Sequence, residues 1–512
     1  MEIKNPVILC DYSDPDLIRI DETFYLVASS FNFFPGLPIL SSKNLQDWQL
    51  VNYACPSFPL KKYDDVQNAR GIWAPSIRAH GGKCYIFFGT PDEGLFFVSA
   101  DDILGKWSEV ECVWSGKGFE DPCPIWITDE NGKERVFLVH AYVKSRIGFN
   151  SKLGILELDP VSLKAISEDK IIFDGSKTQP TIEGPKVYER NGFFYIFAPA
   201  GGVTDGWQTV LRSRSLFGNW EERIVLRQGK SRVNGPHQGA FVELTDKMGV
   251  FVHFQERGVF GRIVHVQPLF WEDDDWCKMG DAFFSKAECG EPLIAFSIPQ
   301  ISFKESEENR FAKSQKVGFG GFFSDFQFSA NPKKYAEFEE KSVRLFAANG
   351  QKSLWETPNV LSKKIDAENF RVCFCLDVSD LSEESFAGAF FFGEQYRSLE
   401  IFCKNGEFFW RVLEGSGSGD DKRCEKILET GNIAPFDLKN GLEFSLLFKK
   451  IDERTGNSCV TLQKSSGKIV ASTDFFHLEK AHWVGGRFGI FVRGFSGSAV
   501  FSVKTQNRLW SV

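Results

Sequence analysis

The chain has 512 residues, 42% hydrophobic and 25% charged, with a formal net charge of −8. Such a length exceeds one ordinary core and points to two domains. The acidic balance, with no clustered Lys or Arg, excludes a nucleic-acid surface and suits a neutral ligand.

The N-terminus, MEIKNPVILCDYSDPD, carries no signal-peptide core, and no apolar run approaches membrane-spanning length. The first predicted strands are 17–20, 24–30 and 36–42, followed by a short one at 48–51. The second group is SIRAH, KCYIFFGT and GLFFVSA. The third is CPIWIT, RVFLVHAYV and LGILELD, with a turn at Asn131-Gly132. The fourth is KVYER, FFYIFAPA and QTVLRSRS, with a turn at Asn191-Gly192. The fifth is AFVEL, MGVFVHFQ and GRIVHVQPLFW. Asn-Gly between apolar runs marks hairpins, because both residues accept positive φ.

The five groups open at Asp14-Pro15, Ala74-Pro75, Asp121-Pro122, Glu183-Gly184-Pro185 and Pro236-His237. Offsets of 60, 47, 62 and 54 residues between Asp14, Ala74, Asp121, Glu183 and His237 read as propeller blades. A second landmark keeps step: Trp48, Trp107 and Trp220 follow Asp14, Ala74 and Glu183 by 34, 33 and 37 residues. First strands of blades line a central channel, so Asp14, Asp121 and Glu183 are expected to converge. Two carboxyl groups in different protonation states cleave a glycosidic bond, and a third nearby raises the pKa of the acid. Asp159-Pro160, outside the repeat, is read as a turn.

The repeat stops near residue 300. A charged stretch, 301–316, reads as a linker, and 317–512 as a β-sandwich with Gly/Ser/Asp-rich turns, notably 415–421. The expected fold is therefore all-β: a five-bladed propeller over 1–300 followed by a β-sandwich. Twelve cysteines without a CxxC pair argue against zinc and for a reducing, cytoplasmic compartment. His140, His253 and His265 lie in strands and read as core residues.

NPVILCDYSDPDLIRI, SSFNFFPGLPILSS, GIWAPSIRAH, GFEDPCPIW, TIEGPKVYERNGFFYIFAPAGG, NGPHQGAFVE and GRIVHVQP resemble the motifs of glycoside hydrolase family 43. WVGGRFGIFVRG resembles the concanavalin-like sandwich of its β-xylosidase-type members. The resemblance implies an inverting hydrolase, with Asp14 as general base, Asp121 as the pKa-tuning and orienting carboxylate, and Glu183 as general acid. It places Arg262 on the sugar. Trp73, Phe33 and Phe34 are candidate pocket walls, and Ala74 leaves room for the sugar where other blades carry acids. His237 is a candidate for calcium held through water at the axis; no cofactor is otherwise implied. A sandwich loop near Phe488 or Phe491 is expected to close the pocket and favour exo action.

The expected activity is β-1,4-xylosidase on xylo-oligosaccharides, with α-L-arabinofuranosidase as the alternative in the same class. A non-catalytic carbohydrate-binding protein is the alternative of another class. The expected partner is an oligosaccharide, with no nucleic acid and no membrane; a homo-oligomer is left open.

Overall fold

The computed structural model describes residues 2–285, 287–298, 317–350, 353–417 and 423–508. The expected linker at 301–316 and part of the turn at 415–421 lie outside the described residues.

Five four-stranded antiparallel meanders follow one another along the chain. Their first strands are Asp16–Ile20, Trp73–His80, Phe119–Thr128, Lys186–Arg190 and His237–Thr245. The first strand of blade five packs on that of blade one, which closes the ring. The turn at Asn191-Gly192 has both residues at positive φ between the paired Arg190 and Phe193, as a tight hairpin requires. The outer strands Glu111–Ser115, Lys170–Asp174, Glu221–Arg227 and Cys277–Met279 escape the sequence reading. Most are short and half exposed, so alternation between buried and polar residues is weak there.

Between each pair of neighbouring blades lies an apolar cluster, such as Val27, Ile39, Ile77 and Phe88 between blades one and two. Blades five and one are joined by Leu26, Leu40, Val250 and Val264. The period-marking tryptophans are structural: the indoles of Trp48 and Trp107 donate to the carbonyls of Leu45 and Ile103. His140, His253 and His265 are buried, as their strand positions imply.

The C-terminal domain stacks two eight-stranded sheets. Its core includes Phe374, Phe391, Phe444, Phe448 and Phe488, and takes in Val259, Phe260 and Ile263 from blade five. Further bonds fix it to the propeller. Phe34 and Phe328 exchange backbone hydrogen bonds of 3.0 and 2.7 Å. Buried Glu256 binds Arg454 and Lys480. Asp11 accepts from the backbone N–H of Gly485 at 3.1 Å and from that of Arg262 at 2.9 Å.

Candidate active site

Every blade begins with a residue at positive φ: Asp14 at 54°, Ala74 at 33°, Asp121 at 56°, Gly184 at 57° and Gln238 at 42°. Four of the five precede proline, at 15, 75, 122 and 185. Strand pairing slips across this point in blades two, three and five, which marks a β-bulge. A bulge turns two successive side chains toward one side of the sheet. The structure therefore corrects the alignment of the repeat by one residue in two blades. Gly184 and Gln238, rather than Glu183 and His237, are the counterparts of Asp14 and Asp121. Glu183 and His237 belong to a second ring, one position earlier, together with Ser13, Trp73 and Glu120. Gly184 cannot be replaced freely, since a Cβ there would stand 2.6 Å from the Gln238 side chain.

Both rings open into a cavity of about 550 Å³ lined by Asp14, Trp73, Ala74, Glu120, Asp121, Glu183, His237, Gln238 and Arg262. Asp14 is buried and doubly held: Ser29 Oγ donates to its Oδ2 at 2.6 Å and Arg262 Nη1 to its Oδ1 at 2.9 Å. Ser29 in turn receives the Ala74 N–H at 2.7 Å. Asp121 Oδ2 accepts from the Gly184 N–H at 2.7 Å and from Gln238 Nε2 at 3.2 Å. The first of these bonds fixes the backbone next to Glu183. The Glu183 side chain keeps 29% of its surface open, so it can exchange a proton, and its Oε1 meets His237 Nε2 at 2.8 Å.

Arg262 lies between aromatic rings, 4.7 Å from the centre of Phe254 and 5.5 Å from that of Trp483. Stacking of this kind suits a guanidinium, whose planar fork can also reach sugar hydroxyls. Trp73 lines the cavity as expected, edge-on to Phe31 at 6.3 Å. Phe34 does not line it, and Phe33 lines an adjoining cavity of about 350 Å³ that shares Trp73, Arg146, His482 and Trp483 with it. Phe34 is wholly buried between blades one and two, and Phe33 lies under the Arg487 guanidinium at 3.9 Å. Phe31, at φ 53°, is the wall residue of that loop. The sandwich does reach the cavity, but through His482 and Trp483. Phe488 and Phe491 are interior residues of the sandwich, in strand Arg487–Gly494, and cannot close a pocket.

A second cavity, of about 590 Å³, lies between blade one and the sandwich. Of its carboxylates, Asp325 and Asp366 are paired with Lys363 and Glu368 with Lys450. It lacks the opposed free carboxyls that hydrolysis needs.

Residues 3–277 match the profile of glycosyl hydrolases family 43. The chain belongs to that family. Residues 323–502 match the β-xylosidase C-terminal concanavalin A-like domain, which agrees with the stacked sheets. A Xylanibacter ruminicola protein bearing a β-xylosidase name is 34% identical over 409 residues, 77% of this chain and 72% of its own length. The xylosidase/arabinosidase 43B of Humicola insolens is 24% identical, over 82% of this chain and 78% of its own. A crystal structure of xylan β-1,4-xylosidase from Bacillus halodurans C-125 superposes with a TM-score of 0.76 at 18% identity, covering 98% of this chain and all of that one. At that identity the likeness is one of fold.

Within this family-43 cavity His237 is spent on Glu183. Among the described residues no group of three or more His, Cys, Asp or Glu side chains converges as a metal site. A lone imidazole does not fit calcium, which prefers several oxygens.

Sequence reasoning missed Glu120, Gln238, Ser29, Asp11 and Trp483. Strand alternation sends Glu120 away from the face that Asp121 occupies, and the others carry no local signal. Burial, then the charges of Asp121, Glu183 and Asp14, hold Glu120 well above the usual carboxylate range. Burial, then Glu183 and Asp14, push Asp121 up to about 7 from 3.8. A raised folded-state value means that Asp121 favours folding below about pH 4. That contribution is lost as pH rises toward 7. Asp121→Asn is therefore expected to melt at or above the wild-type temperature at pH 8, with a smaller gain at pH 4. Its kcat should fall by about 10² or more. Calorimetric melts at the two pH values, with rates alongside, check both halves.

Proposed function

We propose that this chain is an exo-acting, inverting glycoside hydrolase that removes terminal xylose from β-1,4-linked xylo-oligosaccharides. One observation carries the reading: Asp14 from blade one and Glu183 from blade four face a single sugar-sized cavity, with Asp121 tied beside Glu183. Glu183 gives its proton to the glycosidic oxygen as the bond to the anomeric carbon breaks. Asp14 takes a proton from water as that water attacks from the opposite face. Asp121 orients the acid through the Gly184 amide. Arg262 holds Asp14 and sugar hydroxyls together, and Trp73 and Phe31 provide an apolar wall. The C–O bond to water forms as the C–O bond to the leaving oxygen breaks, and the two carboxyl groups carry the protons.

Exo action is supported by the sandwich loop carrying His482 and Trp483, which walls the cavity. The printed name of the Humicola insolens relative supports a second reading, α-L-arabinofuranosidase. Twelve free thiols support a reducing compartment, and with it short imported oligosaccharides as substrates. Three carboxylates held in place weigh against a protein that binds sugar without cleaving it.

A panel of aryl β-xyloside, aryl α-arabinofuranoside, xylobiose and linear arabinan should show xylobiose and the aryl β-xyloside cleaved fastest. Proton NMR of the first turnovers should show α-xylose released from a β-xyloside. β-Xylose appearing first would reject inversion, and no cleavage across the panel would reject the enzyme.

A further inference from the structure

Each blade opens on two successive residues, the latter at positive φ, and the ring one position earlier reads Ser13, Trp73, Glu120, Glu183, His237. Glu120 thus holds in blade three the place that Glu183 holds in blade four. Its strand turns both Glu120 and Asp121 into the cavity because the pairing slips between Glu120 and Cys123. The backbone of Glu120 lies against Gly89 of blade two, where a Cβ would stand 3.2 Å from the Glu120 Cα. Gly89 pairs with Trp73, so Glu120 sits on the Trp73 side of the pocket. Among the described residues no side chain or backbone group is hydrogen-bonded to its carboxyl, unlike those of Asp14, Asp121 and Glu183. The mechanism above does not use it.

A carboxyl group that faces a sugar-sized cavity and has no protein partner is free to bond to what enters that cavity. We propose that Glu120 is a substrate-binding residue that holds a hydroxyl of the neutral sugar in the pocket. The charged groups facing it are Asp121 on its own strand, Asp14 from blade one, Glu183 from blade four and Arg146 from the helical turn Lys144–Ile147. Three of the four are acids, which disfavours a fourth negative charge. A neutral carboxyl both donates and accepts, and so matches a hydroxyl in either sense. This inference rests on the glycosidase reading and names a contact within the same site.

The test uses Glu120→Ala and Glu120→Gln in the full chain, on whichever substrate of the panel the wild type cleaves best. Glu120→Ala is expected to raise KM about tenfold with a smaller change in kcat and an unchanged melting temperature. Glu120→Gln, which keeps a donor and an acceptor, should restore KM to within about threefold of wild type. A wild-type KM in Glu120→Ala would overturn the contact. So would Glu120→Gln being as impaired as Glu120→Ala, or a loss that follows a fallen melting temperature. Inactivity of the wild type itself would instead overturn the glycosidase reading.

Discussion

Glu183→Ala is expected to lower kcat/KM on xylobiose by about 10³-fold while an aryl β-xyloside with a good leaving group loses about tenfold. The alkoxide leaving from xylobiose is a strong base and needs the proton as the bond breaks. A nitrophenolate leaves without one. Asp14→Ala should cost both substrates about equally, at 10³-fold or more, because every substrate needs the water activated. The structure makes the comparison clean. The carboxyl of Glu183 is tied to one side chain, His237, and is partly open to the cavity, so its removal unlocks little of the propeller. Asp14 anchors Ser29 and Arg262, so Asp14→Asn is the gentler companion variant. Equal losses on the two substrates in Glu183→Ala would remove it from the acid role. A loss confined to xylobiose in Asp14→Ala would exchange the two roles.

The blade count, the order of the domains and the three acids could be read from the sequence because each leaves a local mark. Hairpin turns carry Asn-Gly, buried strands carry apolar runs, and the Asp-Pro pairs recur at blade spacing. The exact register could not be read in the same way. A strand alternates with period two, so a slip of one residue exchanges faces. The bulges at Ala74, Asp121 and Gln238 let consecutive residues share a face, contrary to that alternation. The prolines after four of the positive-φ residues were the available clue, and they align Gly184, not Glu183, with Asp121. The same rule explains why Glu120 went unnoticed: beside an inward Asp121, simple alternation sends it outward. Phe33 and Phe34 drew attention as an aromatic pair in a channel-side loop. The positive φ at Phe31 and the pairing of Phe34 with Phe328 decide which ring faces the cavity, and the second involves a partner almost 300 residues away. Trp483 stacks on Arg262 across more than 200 residues of chain, a relation that only packing reveals.

That packing makes the sandwich part of the enzyme. A chain ending at residue 298 is expected to be insoluble or inactive on every substrate. Val259, Phe260 and Ile263 belong to blade five yet lie in the sandwich core with no exposed surface. Uncovering them costs about 2 kcal/mol for each side chain. Asp11 would lose its bond to Gly485 and Glu256 its two cations, so each carboxylate would keep only the donors of its own domain. Such a chain would fail for reasons of folding alone, so Trp483→Ala isolates the role at the pocket. Trp483 is 45% exposed and its removal opens no cavity in either core. Its melting temperature should stay within about 3 °C of wild type, as for a surface change. The kcat/KM on xylobiose should fall about tenfold to a hundredfold, because the variant loses both a wall of the pocket and the ring that holds Arg262 over Asp14. Binding of xylose by calorimetry would weaken in parallel. Full activity in the shortened chain, or in Trp483→Ala, would show that the propeller alone builds the site and that the sandwich only accompanies it.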